Sequence, residues 1–214
     1  MADNSEESRE IIPAILPAVA AYQQISQDTW SNASINLNRH NVGLKVQGRL
    51  DSADIHEGGK ELAHLEIERH DVAGTGIKGR IDSINISRDG KLDAEVKLNR
   101  HNVLGSGVEG RVDSLDLMRD GKALAHVELN RHPVAGTDIE GRVDSMDITR
   151  EGFPKTTVVL NRHDVLGSGI PGRVDSASVE SDGKTQAQLE FHRANVMGLG
   201  IQGRLNSLEI VQSK

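Results

Sequence analysis

The sequence predicts an all-β protein in which six copies of a 31-residue β-hairpin unit form a 12-stranded antiparallel meander that closes into a barrel. The first observation behind this prediction is a Gly-Arg pair that recurs every 31 residues, from Gly48-Arg49 to Gly203-Arg204. The second is the alternation of apolar and polar residues between these pairs, which is the period of a half-buried strand. A repeat of this size is one supersecondary unit that buries its apolar face only against neighbouring copies.

The N-terminal segment predicts a helix that lies inside this barrel. Residues 8–27 are apolar around most of a helix circumference, as in a helix buried on all sides. A closed barrel of twelve strands is wider than the ~8-stranded barrels that side chains alone can fill, so we expect the helix to be its plug. Residues 1–28 are therefore expected to form a disordered tip and the helix, and residues 29–214 the six-repeat β domain, together a single domain.

Two turn signals divide each repeat into two strands. One is a glycine followed by threonine or serine, as at Gly74-Thr75 and Gly105-Ser106, which suits a two-residue turn with glycine in the position of positive φ. The other is Asp-Gly followed by lysine, as at Asp89-Gly90 and Asp120-Gly121, which suits either a tight turn or a type I turn with a glycine bulge. Two strands in each of six repeats give twelve.

The alternation within each repeat changes phase twice. In the third repeat the apolar positions are even-numbered near Val96 but odd-numbered near Leu117, and the change falls at Asp113-Ser114. A matching change falls at Arg100-His101. A slip of one residue turns the following side chains to the other face unless a bulge or corner absorbs it. We therefore expect every strand to bend near its middle.

A parallel β-solenoid with an N-terminal helical cap is the alternative architecture. Coil stacking would place the six equivalent arginines from Arg49 to Arg204 in register about 4.8 Å apart, where like charges repel. A meander separates equivalents by an intervening strand, and the turn signals are those of hairpins, so the meander is favoured. At the level of architecture alone, a barrel with a central helix resembles the tubby and scramblase type, which carries its helix at the other end; this resemblance implies nothing about function.

Composition narrows the class of partner. The formal net charge of −7 disfavours a nucleic-acid partner, and the absence of cysteine excludes disulfides and thiolate metal sites. The apolar N-terminal run is too short to span a bilayer and follows an acidic leader rather than the basic one of a signal peptide. We therefore expect a cytoplasmic protein without a transmembrane segment, capable of self-association, and leave non-classical export open.

Candidate ligand-binding residues are the polar residues that recur at the bends. Residues two apart on a strand share a face, so each Arg-x-Asp triplet places a guanidinium beside a carboxylate. This arrangement favours either a structural lattice of charge-assisted hydrogen bonds or a set of equivalent polar pockets. The candidate residues are Arg39, His40, Arg69, His70, Arg100, His101, Arg131, His132, Arg162 and His163, together with Asp51, Asp82, Asp113, Asp144 and Asp175.

The sequence predicts no metal site and no cofactor. The five histidines of the Arg-His motif would lie about 9 to 10 Å apart in a meander, too far to share a metal ion. The chain contains no nucleophile elbow, P-loop or zinc-protease motif, and its polar residues are equivalent in the copies instead of converging on one centre.

These observations favour a non-enzymatic repeat protein, a multivalent binding or structural scaffold module. Its ligand would be hydroxyl-rich, such as a carbohydrate, bound in a lectin-like manner at the Arg/His/Asp bends. The alternative is a β-barrel that binds or transforms a small hydrophobic molecule in its interior, with the helix as a competitor for that space.

Overall fold

A computed structural model describes residues 12–26, 32–41, 47–71, 78–103, 108–133, 140–164, 171–196 and 201–212. These ranges contain helix α1 and strands β1 to β12. The elements are α1 (Ile12–Ser26), β1 (Ser34–Asn41), β2 (Gln47–Glu57), β3 (Lys60–Asp71), β4 (Lys78–Arg88), β5 (Lys91–Val103), β6 (Val108–Arg119), β7 (Lys122–Pro133), β8 (Glu140–Thr149), β9 (Thr156–Asp164), β10 (Pro171–Ser181), β11 (Lys184–Val196) and β12 (Ile201–Gln212).

The twelve strands form a closed antiparallel barrel. Each strand pairs with its neighbours in sequence, and β12 returns to pair with β1 through Ser34–Glu209 and Ile35–Leu208. Pairing of β12 with β1 removes the two terminal edges that an open sheet of these strands would have. The predicted barrel is confirmed, and the solenoid alternative is wrong, because sequential strands pair antiparallel instead of stacking as parallel coils.

The barrel has two ends with different connections. At the turn end, Asp89, Asp120 and Asp182 adopt φ of 50 to 52°, and the glycine after each adopts 71 to 75°. Positive φ at both central residues is the geometry of a type I′ hairpin turn, so the Asp-Gly prediction is confirmed. At the opposite end, called the loop end here, the predicted Gly-Thr and Gly-Ser turns lie outside the described residues.

Both predicted changes of phase are real irregularities in strand pairing. Between β5 and β6, Asn99 pairs with Ser114 but Arg100 pairs with Val112, so Asp113 is an extra residue in β6. A second shift follows directly after Arg100. The first bulge keeps the apolar face continuous, since Val112 and Leu117 are both buried although one is even-numbered and the other odd.

Helix α1 occupies the interior of the barrel. All residues from Ile15 to Tyr22 are buried, and those other than Pro17 are each 1 to 4% exposed. The helix packs nearest to β6, β7 and β8. The surrounding wall contributes one continuous apolar core from alternate strand positions. The predicted plug is confirmed over Ile12–Ser26, while the remainder of residues 8–27 and the predicted disordered tip lie outside the described residues.

A polar contact anchors the helix at the turn end. The Tyr22 hydroxyl donates to Asp93 Oδ2 at 2.7 Å, and Arg119 Nη2 donates to the same oxygen at 2.6 Å. We number the hairpins by their turn-end turns, from the first (β2 and β3) to the fifth (β10 and β11). In the first and third hairpins the position of Asp93 is taken by Leu62 and Leu124, which pack against the apolar core. In the second hairpin this position instead carries a carboxylate that receives the helix.

We predict that the Tyr22 contact makes stability fall in alkali. Burial, the hydrogen bond to Asp93 and the charge of Asp93 raise the pKa of Tyr22 above its ordinary value of 10.0. The stabilisation from this contact is fully present at pH values below the pKa of Tyr22 in the unfolded chain. It is lost as the pH rises toward the raised pKa of Tyr22 in the folded chain. In this interval the free energy of unfolding should fall by about 1.4 kcal/mol per pH unit more steeply in the natural chain than in Tyr22→Phe.

Urea denaturation at several pH values measures this difference. Because Tyr22 is the single tyrosine of the chain, phenolate absorbance also follows its ionisation without interference. Ionisation of Tyr22 near pH 10 in the folded protein would contradict the buried contact.

Candidate functional site

Six of the strand pairings, called the seams here, stop before the loop end. In each seam the described ladder ends at the serine of an Arg-x-Asp-Ser or Arg-x-Asn-Ser segment, directly after the bulge. The other six pairings continue toward the loop end, as in Val103 with Val108. The last described pairs of the seams are Ser52 with Glu66, Ser83 with Lys97, Ser114 with Glu128, Ser145 with Val159, Ser176 with Glu190, and Asn36 with Ser207.

Five arginines cross these seams: four belong to the Arg-His motif, and the fifth is Arg193, which holds the same position in the sixth repeat although Ala194 follows it. Each donates from Nη2 to the backbone carbonyl two residues before the serine that ends the ladder on the preceding strand. We call these five residues the seam arginines; Arg39 holds the equivalent position at the closure of the barrel. The contacts are Arg69 to Leu50 at 3.4 Å, Arg100 to Ile81 at 2.7 Å, Arg131 to Val112 at 2.9 Å, Arg162 to Val143 at 2.9 Å and Arg193 to Val174 at 3.0 Å.

The seam arginines emerge on the inner face of the sheet. Arg100 lies directly opposite the buried Val112, and residues directly opposite in an antiparallel pair share a face. The Arg162 side chain is only 8% exposed, and burial together with the nearby Arg142 lowers its pKa against the opposing effect of Asp144. Arginine suits this position because its long stem spans the gap and its guanidinium remains charged with five donors.

The arginines of the Gly-Arg motif pair with the bulge aspartate on the same strand. These ion pairs are exposed, with about a third to a half of each side chain accessible to solvent. Three of the five predicted Arg-x-Asp contacts are found among the described ion pairs. They are Arg49 Nε to Asp51 Oδ1 at 3.7 Å, Arg111 Nε to Asp113 Oδ1 at 3.2 Å and Arg173 Nε to Asp175 Oδ1 at 3.1 Å.

Histidine joins these groups at the bends. His132 Nδ1 lies 2.7 Å from Asp144 Oδ2, and His40 Nδ1 lies 3.5 Å from Asp51 Oδ2. We call the histidine, the bulge aspartate and the Gly-Arg arginine of one 31-residue repeat an outer bend. The structure thus brings two candidate histidines beside candidate aspartates, but it directs the Arg-His arginines to the seams, where Arg162 Nε also lies 4.0 Å from Asp144 Oδ1. Asp82 is exposed at the equivalent bulge, and the side chains of His70, His101 and His163 lie outside the described residues.

A second set of polar contacts lies between the outer bends and the turn end. Asn99 Nδ2 donates to Ser114 Oγ at 3.2 Å and to Asp116 Oδ2 at 2.8 Å, while His126 Nδ1 lies 2.6 Å from Asp116 Oδ1. We call these contacts and their equivalents the polar belt. The belt was not predicted from the sequence, although two signals of it recur: asparagine before Arg-His, and Ser-x-Asp after three of the bulges. The equivalents are Asn38–Ser52–Asp54–His64, Asn130–Ser145–Asp147–Thr157 and Asn161–Ser176–Ser178.

The belt carboxylates are held in their charged form. Partial burial by itself would raise the pKa of Asp116, but hydrogen bonds from His126 and Asn99 outweigh burial and lower it. The pKa of Asp54 is lowered in the same way, against burial, by Asn38 and His64. The belt therefore presents ionised acceptors on the outer surface at neutral pH.

Comparisons with protein-family models, curated proteins and solved structures found no match to this chain. Among the described residues, no helix combines the length and the apolar character needed to cross a bilayer.

We predict that removing one seam arginine destabilises the barrel. Arg131→Met keeps most of the apolar stem but removes the donors that reach the Val112 carbonyl, so the free energy of unfolding should fall by about 1.5 to 3 kcal/mol. The matched control Arg142→Met removes an exposed guanidinium of the Gly-Arg motif and should change stability by about 0.5 kcal/mol or less. Urea denaturation compares the two; equal losses would contradict the structural role of the seam arginines.

Proposed function

We propose that this chain is a non-enzymatic, multivalent binding module whose outer bends are equivalent subsites for a hydroxyl-rich ligand such as a glycan. The supporting observation is the assembly of imidazole and carboxylate on the outer face, as in His132–Asp144, at positions that recur from hairpin to hairpin. Each of these side chains remains 40 to 48% exposed, so a ligand has access to both.

The chemistry of an outer bend suits hydroxyl groups. A carboxylate such as Asp51 accepts several hydrogen bonds, the guanidinium of Arg49 donates, and the imidazole of His40 has one nitrogen of each kind when neutral. Vicinal hydroxyls of a sugar need such neighbouring donors and acceptors. The net charge of −7 favours this uncharged class of ligand over a polyanion.

The repetition of the bends supports binding rather than catalysis. Equivalent bends are separated by one intervening strand and therefore lie about 9 to 10 Å apart around the barrel. A ligand with repeated units could engage several bends at once and gain avidity from low-affinity contacts. The alternative function, binding of a small hydrophobic molecule inside the barrel, has less support. Residues Ile15 to Tyr22 of α1 fill the space that such a molecule would need.

A glycan array followed by isothermal titration calorimetry with the bound oligosaccharide tests the proposal. We expect more than one binding site per chain. Asp51→Asn and Asp144→Asn should each weaken binding at their own subsite by about tenfold, because each loses charge-assisted hydrogen bonds. The matched control is Asp120→Asn at an exposed turn-end position, where φ of 50° is equally compatible with asparagine, and it should bind as the natural chain does.

Two results would contradict the proposal. The first is an array without any bound glycan. The second is a combined Asp51→Asn and Asp144→Asn variant that binds the glycan with the same number of sites per chain and the same affinities as the natural chain. A single apolar dye bound per chain, insensitive to both substitutions, would favour the interior alternative instead.

A further inference from the structure

A cluster of three different metal-ligating side chains lies on the outer face of the first hairpin. One ligand atom each from Asp54, Glu61 and His64 lies within 4.8 Å of the other two. The cluster is nearer to the turn end than the outer bends are, and none of its residues belongs to an outer bend. It is therefore separate from the proposed glycan subsites, and its test is independent of them.

A bulge near the turn brings these residues to one face. Ile55 pairs with Ala63 and His56 pairs with Glu61, so Leu62 is an extra residue in β3. Leu62 packs against the core and Ala63 is buried, so two consecutive residues are directed inward. Glu61 and His64, on either side of them, therefore both project outward, although residues three apart in a regular strand face opposite ways.

The ladder places the third ligand beside this pair. Asp54 lies directly opposite His64, and His64 Nδ1 contacts Asp54 Oδ1. On its other side, Asp54 Oδ2 accepts a hydrogen bond from Asn38 Nδ2 at 2.7 Å, which fixes the orientation of the carboxylate. Such an outer partner is what orients a ligating carboxylate in metal sites.

We propose that Asp54, Glu61 and His64 form a binding site for one divalent transition-metal ion such as Zn²⁺. One imidazole and two carboxylates are a ligand set that Zn²⁺ accepts, with a remaining position open to solvent. Metal–ligand bonds of about 2.1 Å in a tetrahedron require ligand atoms roughly 3.4 Å apart. The exposed Glu61 side chain reaches this spacing by rotation about its own bonds. The contact between His64 Nδ1 and Asp54 Oδ1 opens as the ion enters, and the proton that they share is released to solvent.

The repeats supply an internal comparison for this site. The third hairpin keeps the carboxylate–imidazole contact as Asp116–His126 but has Ala123 at the position of Glu61. The second and fourth hairpins have Leu92 and Pro154 at that position. Among the described hairpins, the three ligands are therefore combined in the first alone.

Titration of the tag-free full-length chain with Co²⁺, followed by visible absorption, and with Zn²⁺, followed by calorimetry, tests the site. We expect one ion per chain. Glu61→Ala and His64→Gln should each weaken binding by more than about tenfold, since loss of a direct ligand should cost at least as much as loss of an outer partner. The control His126→Gln removes a histidine from the equivalent position of the third hairpin and should leave binding unchanged.

A gain-of-site variant makes the test independent of any loss of folding. Ala123→Glu completes the same three residues in the third hairpin and should raise the stoichiometry from one ion to two. The proposal is overturned if the natural chain binds neither ion, if Glu61→Ala and His64→Gln bind as it does, or if Ala123→Glu still binds one ion.

Discussion

The barrel depends on half-buried guanidinium groups that donate to backbone carbonyls across the open seams. Each bulge ends a ladder, and the backbone groups beyond it need partners other than the neighbouring strand. Arg131 supplies one to Val112, and the other seam arginines repeat the contact from hairpin to hairpin. Because a hydrogen bond from a charged donor contributes about 1.5 to 3 kcal/mol, the set is large beside the marginal stability of a folded domain.

The same bulge divides the polar residues of each repeat between two roles. It allows Val112 to remain buried while Asp113 turns outward, where Arg111 pairs with it. The inner arginines thus close the seams and the outer groups are left accessible to a ligand. Helix α1 fills the interior of the barrel, and its Tyr22 binds one inward carboxylate, Asp93, at a position where the first and third hairpins have leucine. The contacts that stabilise the barrel therefore lie on its inner face, and the proposed ligand-binding groups lie on its outer face.

Most of the fold could be predicted from the sequence because the same pattern of strands and turns recurs six times at a spacing of 31 residues. The strands, the Asp-Gly turns, both slips and the buried helix all follow from local pattern. The contact of Arg100 with the Ile81 carbonyl did not, because it depends on where the ladder between β4 and β5 ends. The cluster of Glu61 and His64 was equally hidden, since a spacing of three residues puts side chains on opposite faces unless a bulge intervenes. Bulges are set by tertiary pairing and leave little trace in composition.

Arginine-selective nitrogen NMR of the folded chain tests the central claim most directly. If the seam arginines donate to buried carbonyls, the Nη protons of Arg100, Arg131 and Arg162 will exchange slowly with water and show hindered rotation of the guanidinium. Those of the exposed Arg142 will exchange rapidly, and single substitutions assign each signal. Equally rapid exchange from the Arg-His and the Gly-Arg arginines would contradict the account, because it would leave the seams without the contact that holds them closed.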